Sequence, residues 1–128
     1  FTDSEVLERL PLARMRPVVV ESRDGLDLVS YLTLPRGTDP DGDARPDSPL
    51  PMVLLVHGGP WARDKWGFDY THQWLANRGY AVLSVNFRGS TGFGKAFLNG
   101  ANLEWAGKMH NDLVDAVEDA REALSAGE

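Results

Sequence analysis

Residues 18–35, VVVESRDGLDLVSYLTLP, alternate apolar and polar positions around an Asp24-Gly25 pair. Alternation with a period of two, broken by Asp-Gly, predicts a β-hairpin, because that pair readily takes the positive φ of a tight turn. Leu26, Leu28, Ser30, Leu32 and Leu34 fall on one largely apolar face, and Asp27, Val29, Tyr31 and Thr33 on the other. Residues 52–56, MVLLV, have no polar interruption. Such a run predicts a strand buried on both faces, as in a parallel sheet. A second run of this kind, YAVLSVNF, starts at Tyr80 and gives a strand over residues 80–85. Between the two, residues 69–78 predict a helix with Tyr70, Trp74 and Leu75 on a common face and Gly79 just past its end. Strand, helix and strand in that order form a βαβ unit. Residues 110–126 predict the longest helix, with Leu113, Val117, Ala120 and Leu124 at i, i+4, i+7 and i+11. Asn111 or Asp112 would cap its start, and Asp112 and Asp115 suit the positive end of its dipole. Glu118, Asp119 and Glu122 join Arg121 on an outer, solvated face. The pattern is α/β: an N-terminal β-hairpin, a βαβ unit with parallel strands, and a C-terminal helix.

Two stretches stand outside it. Residues 1–16 are mixed and read as a linker, with Val6, Leu7, Leu10 and Leu12 able to form one apolar turn interrupted by Pro11. Residues 35–51 hold five prolines and four aspartates and predict a surface loop, either a mobile excursion or a contact element.

Composition narrows the function classes. The chain has 128 residues, 42% apolar and 25% charged, enough for one globular domain. Its 13 basic and 19 acidic residues give a net charge of −6, opposite to the balance of a nucleic-acid binder. No apolar run reaches the roughly 18–20 residues that span a bilayer, and no signal segment opens the chain. Cysteine is absent, which removes disulfides, thiolate nucleophiles and cysteine-ligated zinc and fits a cytoplasmic protein. The first residue is Phe1 rather than Met, the expectation for a piece of a longer parent.

Two glycine-rich stretches follow the predicted parallel strands. Gly89 to Lys95, GSTGFGK, fits the phosphate-loop pattern G-x-x-x-x-G-K. Ala96 then stands where a magnesium-binding hydroxyl belongs, and MVLLV leads into His57 rather than a metal-holding aspartate. Nucleotide binding is therefore a remote alternative. The histidines show neither H-x-x-x-H nor H-E-x-x-H spacing, so no metal and no cofactor are expected. The second stretch, His57-Gly58-Gly59-Pro60, lets the backbone turn sharply, and free N–H groups at such a turn can receive an oxyanion. A plain tight turn would look the same.

Longer segments carry a resemblance. VLLVHGGPWARDKWGFD, QWLANRGYAVLSVNFRGSTGFGKAF and WAGKMHNDLVDAV are together very similar to the peptidase domain of the prolyl oligopeptidase family, in its acylaminoacyl-peptidase-like branch. SRDGLDLVSYLTLP resembles the strand pair that opens that domain. The resemblance implies a partial α/β-hydrolase fold, with residues 17–128 as the N-terminal half of the catalytic domain and residues 1–16 leaving a β-propeller. It implies a sheet order of 1-2-4-3 and a serine peptidase acting on short or N-acylated peptides. It places the oxyanion-hole N–H on Gly59, with Gly58 beside it. Other branches carry a tyrosine where His57 stands, so His57 is either an oxyanion donor or a packed structural histidine. Arg88 and Trp61 are further candidate substrate contacts. Arg88 would otherwise pin its own loop, and Trp61 and Trp66 would otherwise pack beneath theirs.

The nucleophile of this family lies in G-x-S-x-G. None of Ser4, Ser22, Ser30, Ser48, Ser84, Ser90 and Ser125 has that setting, and His57, His72 and His110 all precede the place where it would come. The chain is expected to supply the oxyanion side of a peptidase, to lack the Ser-Asp-His triad, and to be inactive alone. Its expected partners are a peptide substrate in the parent enzyme and the remainder of the catalytic domain, or a second copy meeting an exposed strand edge. The alternative is a non-catalytic remnant or interaction module.

Overall fold

Ala81, Val82, Leu83, Ser84 and Val85 are all buried, and the rest of the chain is arranged around them. A computed structural model describes residues 5–59 and 61–125. In chain order it contains α1 (Glu5–Glu8), β1 (Met15–Glu21), β2 (Asp27–Thr33), β3 (Met52–Leu55), α2 (Tyr70–Ala76), β4 (Ala81–Val85), α3 (Lys95–Asn99) and α4 (Lys108–Leu124). The sheet runs β1-β2-β4-β3, the order expected from the resemblance. β1 and β2 are antiparallel, as are β2 and β4, whereas β3 and β4 are parallel.

One sheet face carries the main core. Val20, Leu28, Leu32, Leu83 and Val85 meet Ala116, Ala120 and Leu124 of α4, with Phe97 of α3 at the end. Alanines at 116 and 120 let the helix axis lie close to the sheet. Each fully buried leucine contributes roughly 1.5–3 kcal/mol relative to exposure. The other face is more polar. His72 of α2, 2% exposed, sits with Nδ1 2.8 Å from Thr33 Oγ1 and Nε2 2.8 Å from Ser84 Oγ. Burial pushes its pKa down from the usual histidine value, against the attraction of Asp69.

The expected elements are present, with local differences. β1 starts at Met15 rather than Val18 and includes Pro17, which an edge strand tolerates. β3 is half-buried along its whole length rather than buried on both faces, because it lies at the sheet edge. α2 is capped by Asp69, whose carboxylate accepts from His72 N at 2.9 Å. Its inward residues are His72 and Ala76, while Tyr70 and Trp74 face outward, 73% and 56% exposed. The common face of Tyr70, Trp74 and Leu75 is not the inner one: an imidazole bonded to two hydroxyls takes that position. α4 begins earlier, at Lys108, with Gly107 before it and Glu104 Oε2 accepting from Lys108 N at 3.1 Å. Neither Asn111 nor Asp112 is its cap, and the end foreseen at Ala126 lies outside the described residues. The buried stripe is Asp112, Ala116, Ala120 and Leu124, rotated from the predicted one toward the buried Asp112. α3 was not foreseen. Five residues between glycines give too short a stretch for helical periodicity to register.

The segment before β1 is fastened to α2. Gln73 Nε2 donates to Ala13 O and Ala13 N donates to Gln73 Oε1, both at 2.9 Å. Trp66 Nε1 donates to Met15 O at 3.1 Å. The proline-rich loop closes on itself through Asp47 N to Thr38 O at 2.8 Å and is tied to β1 by an Arg16–Asp39 ion pair at 3.2 Å.

Candidate active site

The carboxyl ends of β3 and β4 are neighbours in a parallel pair, so the segments leaving them meet. His57, Gly58 and Gly59 follow β3. Gly59 has φ +130°, and a Cβ there would stand 2.7 Å from Trp61 N, so the turn admits no side chain at that position. Gly58 and Gly59 are both exposed. Among the described residues neither N–H has a hydrogen-bond partner. That arrangement can receive an anionic oxygen.

The loop after β4 supports this turn. The His57 ring stacks on Phe87, with centroids 4.6 Å apart and planes at 16°. His57 Nε2 is 2.9 Å from Ser90 Oγ, and Nδ1 is 2.9 Å from Gly58 O. Ser90 is fully buried and donates its hydroxyl proton to Phe87 O at 2.7 Å. Its oxygen cannot reach a substrate and its proton is directed away from the imidazole, so the Ser90–His57 pair is not a nucleophile and base. Asn86, also fully buried, accepts from Asp64 N at 2.8 Å and donates to Val29 O at 3.0 Å, tying three segments together. Burial pushes the Asp64 carboxyl up, opposed by attraction to His57, and its Oδ2 is enclosed without a partner.

Arg88 is 5% exposed. It donates to Asp112 through its backbone N (2.9 Å), Nε (2.8 Å) and Nη2 (2.6 Å), and to Asp24 through Nη1 (2.9 Å) and Nη2 (2.7 Å). These hydrogen bonds raise its pKa above the usual arginine value and hold Asp24 well below the carboxylate range. The guanidinium thereby joins the hairpin turn, the loop after β4 and α4. Trp61 and Trp66 are 62% and 63% exposed rather than packed beneath their loop. The structure therefore brings His57, Gly58 and Gly59 together with Phe87 and Ser90, leaves the Trp61 side chain exposed, and commits Arg88 to two carboxylates.

The glycines of the second loop have a local reason. A Cβ on Gly92 would overlap Arg63 Nη1, and Arg63 lies over the Phe93 ring at 4.8 Å. They make room for an arginine. Carboxylate oxygens of Asp39, Asp41 and Asp43 lie within 4.8 Å of one another. The loop's own amides take one oxygen from each, and Arg16 takes another from Asp39.

Sequence reasoning missed Asp112, read as a helix-end charge, and missed the supporting roles of Asn86 and Ser90. An aspartate inside an apolar helical stripe was the available signal for the first. The second pair had none, since their partners lie 22 to 57 positions away.

Comparison with known proteins decides the family. The model of the prolyl oligopeptidase family matches residues 66–126. The dipeptidyl aminopeptidase BIII of Pseudoxanthomonas mexicana is 64% identical over 118 residues, 92% of this chain. The chain belongs to the prolyl oligopeptidase family. Dipeptidyl peptidase family member 6 of Caenorhabditis elegans is 50% identical over 76% of the chain. The chain spans only 17% and 15% of these two relatives. Among solved structures, the uncomplexed Pyrococcus horikoshii acylaminoacyl peptidase superposes with a TM-score of 0.77 at 24% identity, covering 95% of this chain and 18% of that one. A Mycobacterium tuberculosis puromycin-hydrolyzing peptidase gives 0.76 at 28% identity, covering 90% and 17%. The fold is thus part of an α/β-hydrolase peptidase domain. Among the described residues no helix is long and apolar enough to cross a membrane.

Proposed function

We propose that this chain supplies the oxyanion side of a serine peptidase that releases dipeptides from short peptides. The observation that carries this is the 64% identity to a dipeptidyl aminopeptidase over 118 residues. A match of that length within 128 residues necessarily includes His57 through Arg88. The acylaminoacyl peptidase likeness, at 24% identity, is one of fold and does not favour N-acylated substrates.

In this reading a serine from a G-x-S-x-G segment, absent from these 128 residues, attacks the scissile carbonyl. The carbonyl oxygen takes the negative charge, and the Gly59 N–H, with Gly58 beside it, donates to it. Collapse breaks the C–N bond, the amine leaves with a proton, and water then releases the acyl group from the serine. One such donor is worth about 10²–10³ in rate. The remainder of the catalytic domain is the partner proposed for β3, supported by the strand's position at the sheet edge. The absence of cysteine supports a cytoplasmic setting.

Fluorophosphonate labelling tests the reading. The 128-residue chain should stay unlabelled, and the longer peptidase carrying it should label stoichiometrically and cleave dipeptidyl chromogenic substrates. Stoichiometric labelling of the short chain, or turnover confined to N-acylated substrates, would overturn it.

A further inference from the structure

We infer that Ser90 is a positioning residue that aims the oxyanion-binding N–H of Gly59 through His57; this rests on the peptidase reading above. The chain of contacts is short. Ser90 Oγ donates to Phe87 O at 2.7 Å, so toward His57 Nε2, 2.9 Å away, it can only accept. Nδ1 faces Gly58 O at 2.9 Å, and a carbonyl oxygen has no proton to give. Nδ1 must therefore donate as well.

The Gly58 carbonyl and the Gly59 N–H belong to one peptide unit, planar and trans. The C=O and N–H bonds of that unit point in opposite directions. Fixing Gly58 O with the imidazole therefore fixes the direction of the Gly59 N–H. The flanking glycine at φ +130° leaves that plane free to rotate unless something restrains it. The Phe87 stack sets the ring plane and the Ser90 hydroxyl sets its rotation about that plane. Both sit on the loop after β4, whose burial makes it the rigid side of the contact. His57 acts through Gly58 rather than on substrate, and Ser90 acts through His57. Supports of this kind decide whether a site is held to within the tolerance that catalysis requires.

The test uses Ser90→Ala and His57→Phe, the second keeping an aromatic ring over Phe87 without either hydrogen bond. In the longer peptidase each should lower kcat about 10-fold or more with KM nearly unchanged, because an oxyanion donor acts on the transition state. The double variant should lose no more than the worse single one, since both cut the same path. In the 128-residue chain, nitrogen-15 NMR should show exchange-protected His57 ring N–H signals that disappear in Ser90→Ala, with the Gly59 amide shifted. Unchanged ring and Gly59 signals in Ser90→Ala, additive losses in the double variant, or a rise in KM at constant kcat would overturn the inference. A longer protein that fluorophosphonate does not label counts against the peptidase reading alone, because the NMR readout needs no activity.

Discussion

The two faces of the sheet are covered in opposite ways. On one, the 17-residue α4 sets alanines and Leu124 against Val20, Leu28, Leu32, Leu83 and Val85. On the other, the seven-residue α2 presents a histidine to two hydroxyls and turns Tyr70 and Trp74 outward. The first face is held by apolar burial and one enclosed ion cluster. The second is held by directed hydrogen bonds, a helix cap and the amide pair between Gln73 and Ala13. Apolar burial tolerates small displacements; a hydrogen-bond set of fixed geometry does not. The segment between the oxyanion turn and β4 therefore depends on geometry more than on packing area.

The largest effect should come from breaking the enclosed cluster on the α4 side. Asp112→Ala leaves the buried Arg88 with only Asp24, which is itself partly exposed. Removal of one partner of a buried ion pair costs about 3–5 kcal/mol. Urea unfolding should show this, whereas Trp74→Ala should leave the midpoint nearly unchanged. Equal losses would erase the contrast between the faces. Gly59→Ala should come next, forcing a side chain against Trp61 N at a positive φ and costing about 1–3 kcal/mol of local strain. In the longer peptidase its effect on kcat should exceed what that loss of stability explains.

A pH series sharpens the comparison further. The folded pKa of His72 is lowered, so below its unfolded value of 6.5 the unfolded chain binds the extra proton. Stability should be complete above pH 6.5 and fall on acidification toward the lowered folded pKa, by linkage. Asp24 and Asp115 are also lowered, from 3.8, so their contributions persist through that window and are lost only in stronger acid. Asp64, raised by burial, works the other way, so the decisive comparison is with His72→Asn: the same pH dependence between 7 and 5 in both proteins would contradict the buried neutral imidazole. A smaller effect than Asp112→Ala should come from Arg23→Ala, because the Arg23 side chain is half exposed and Arg23 N still donates to Asp115 after the change.

The sequence made the buried strand at 81–85, the hairpin and the long C-terminal helix legible, because each has an apolar pattern of one clear period. It missed the inward residue of two helices, for one reason. In both α2 and α4 the inward position is polar, His72 and Asp112, and hydrophobic patterns assign polar residues outward. Their partners sit on other segments and carry no periodic signature. The glycine turn after β3 was visible as a motif. The support that Ser90 and Asn86 give it was not, because those bonds exist only once the ends of β3 and β4 are brought together.

The amide pair between Gln73 and Ala13 has a mechanical consequence. With Trp66 gripping Met15, it welds the incoming backbone to the helix that follows the oxyanion turn. A pull applied upstream is carried into α2 at Ala13, so any hinge with preceding structure must lie before that residue. Tension there enters the sheet at Met15 and α2 at Gln73 together.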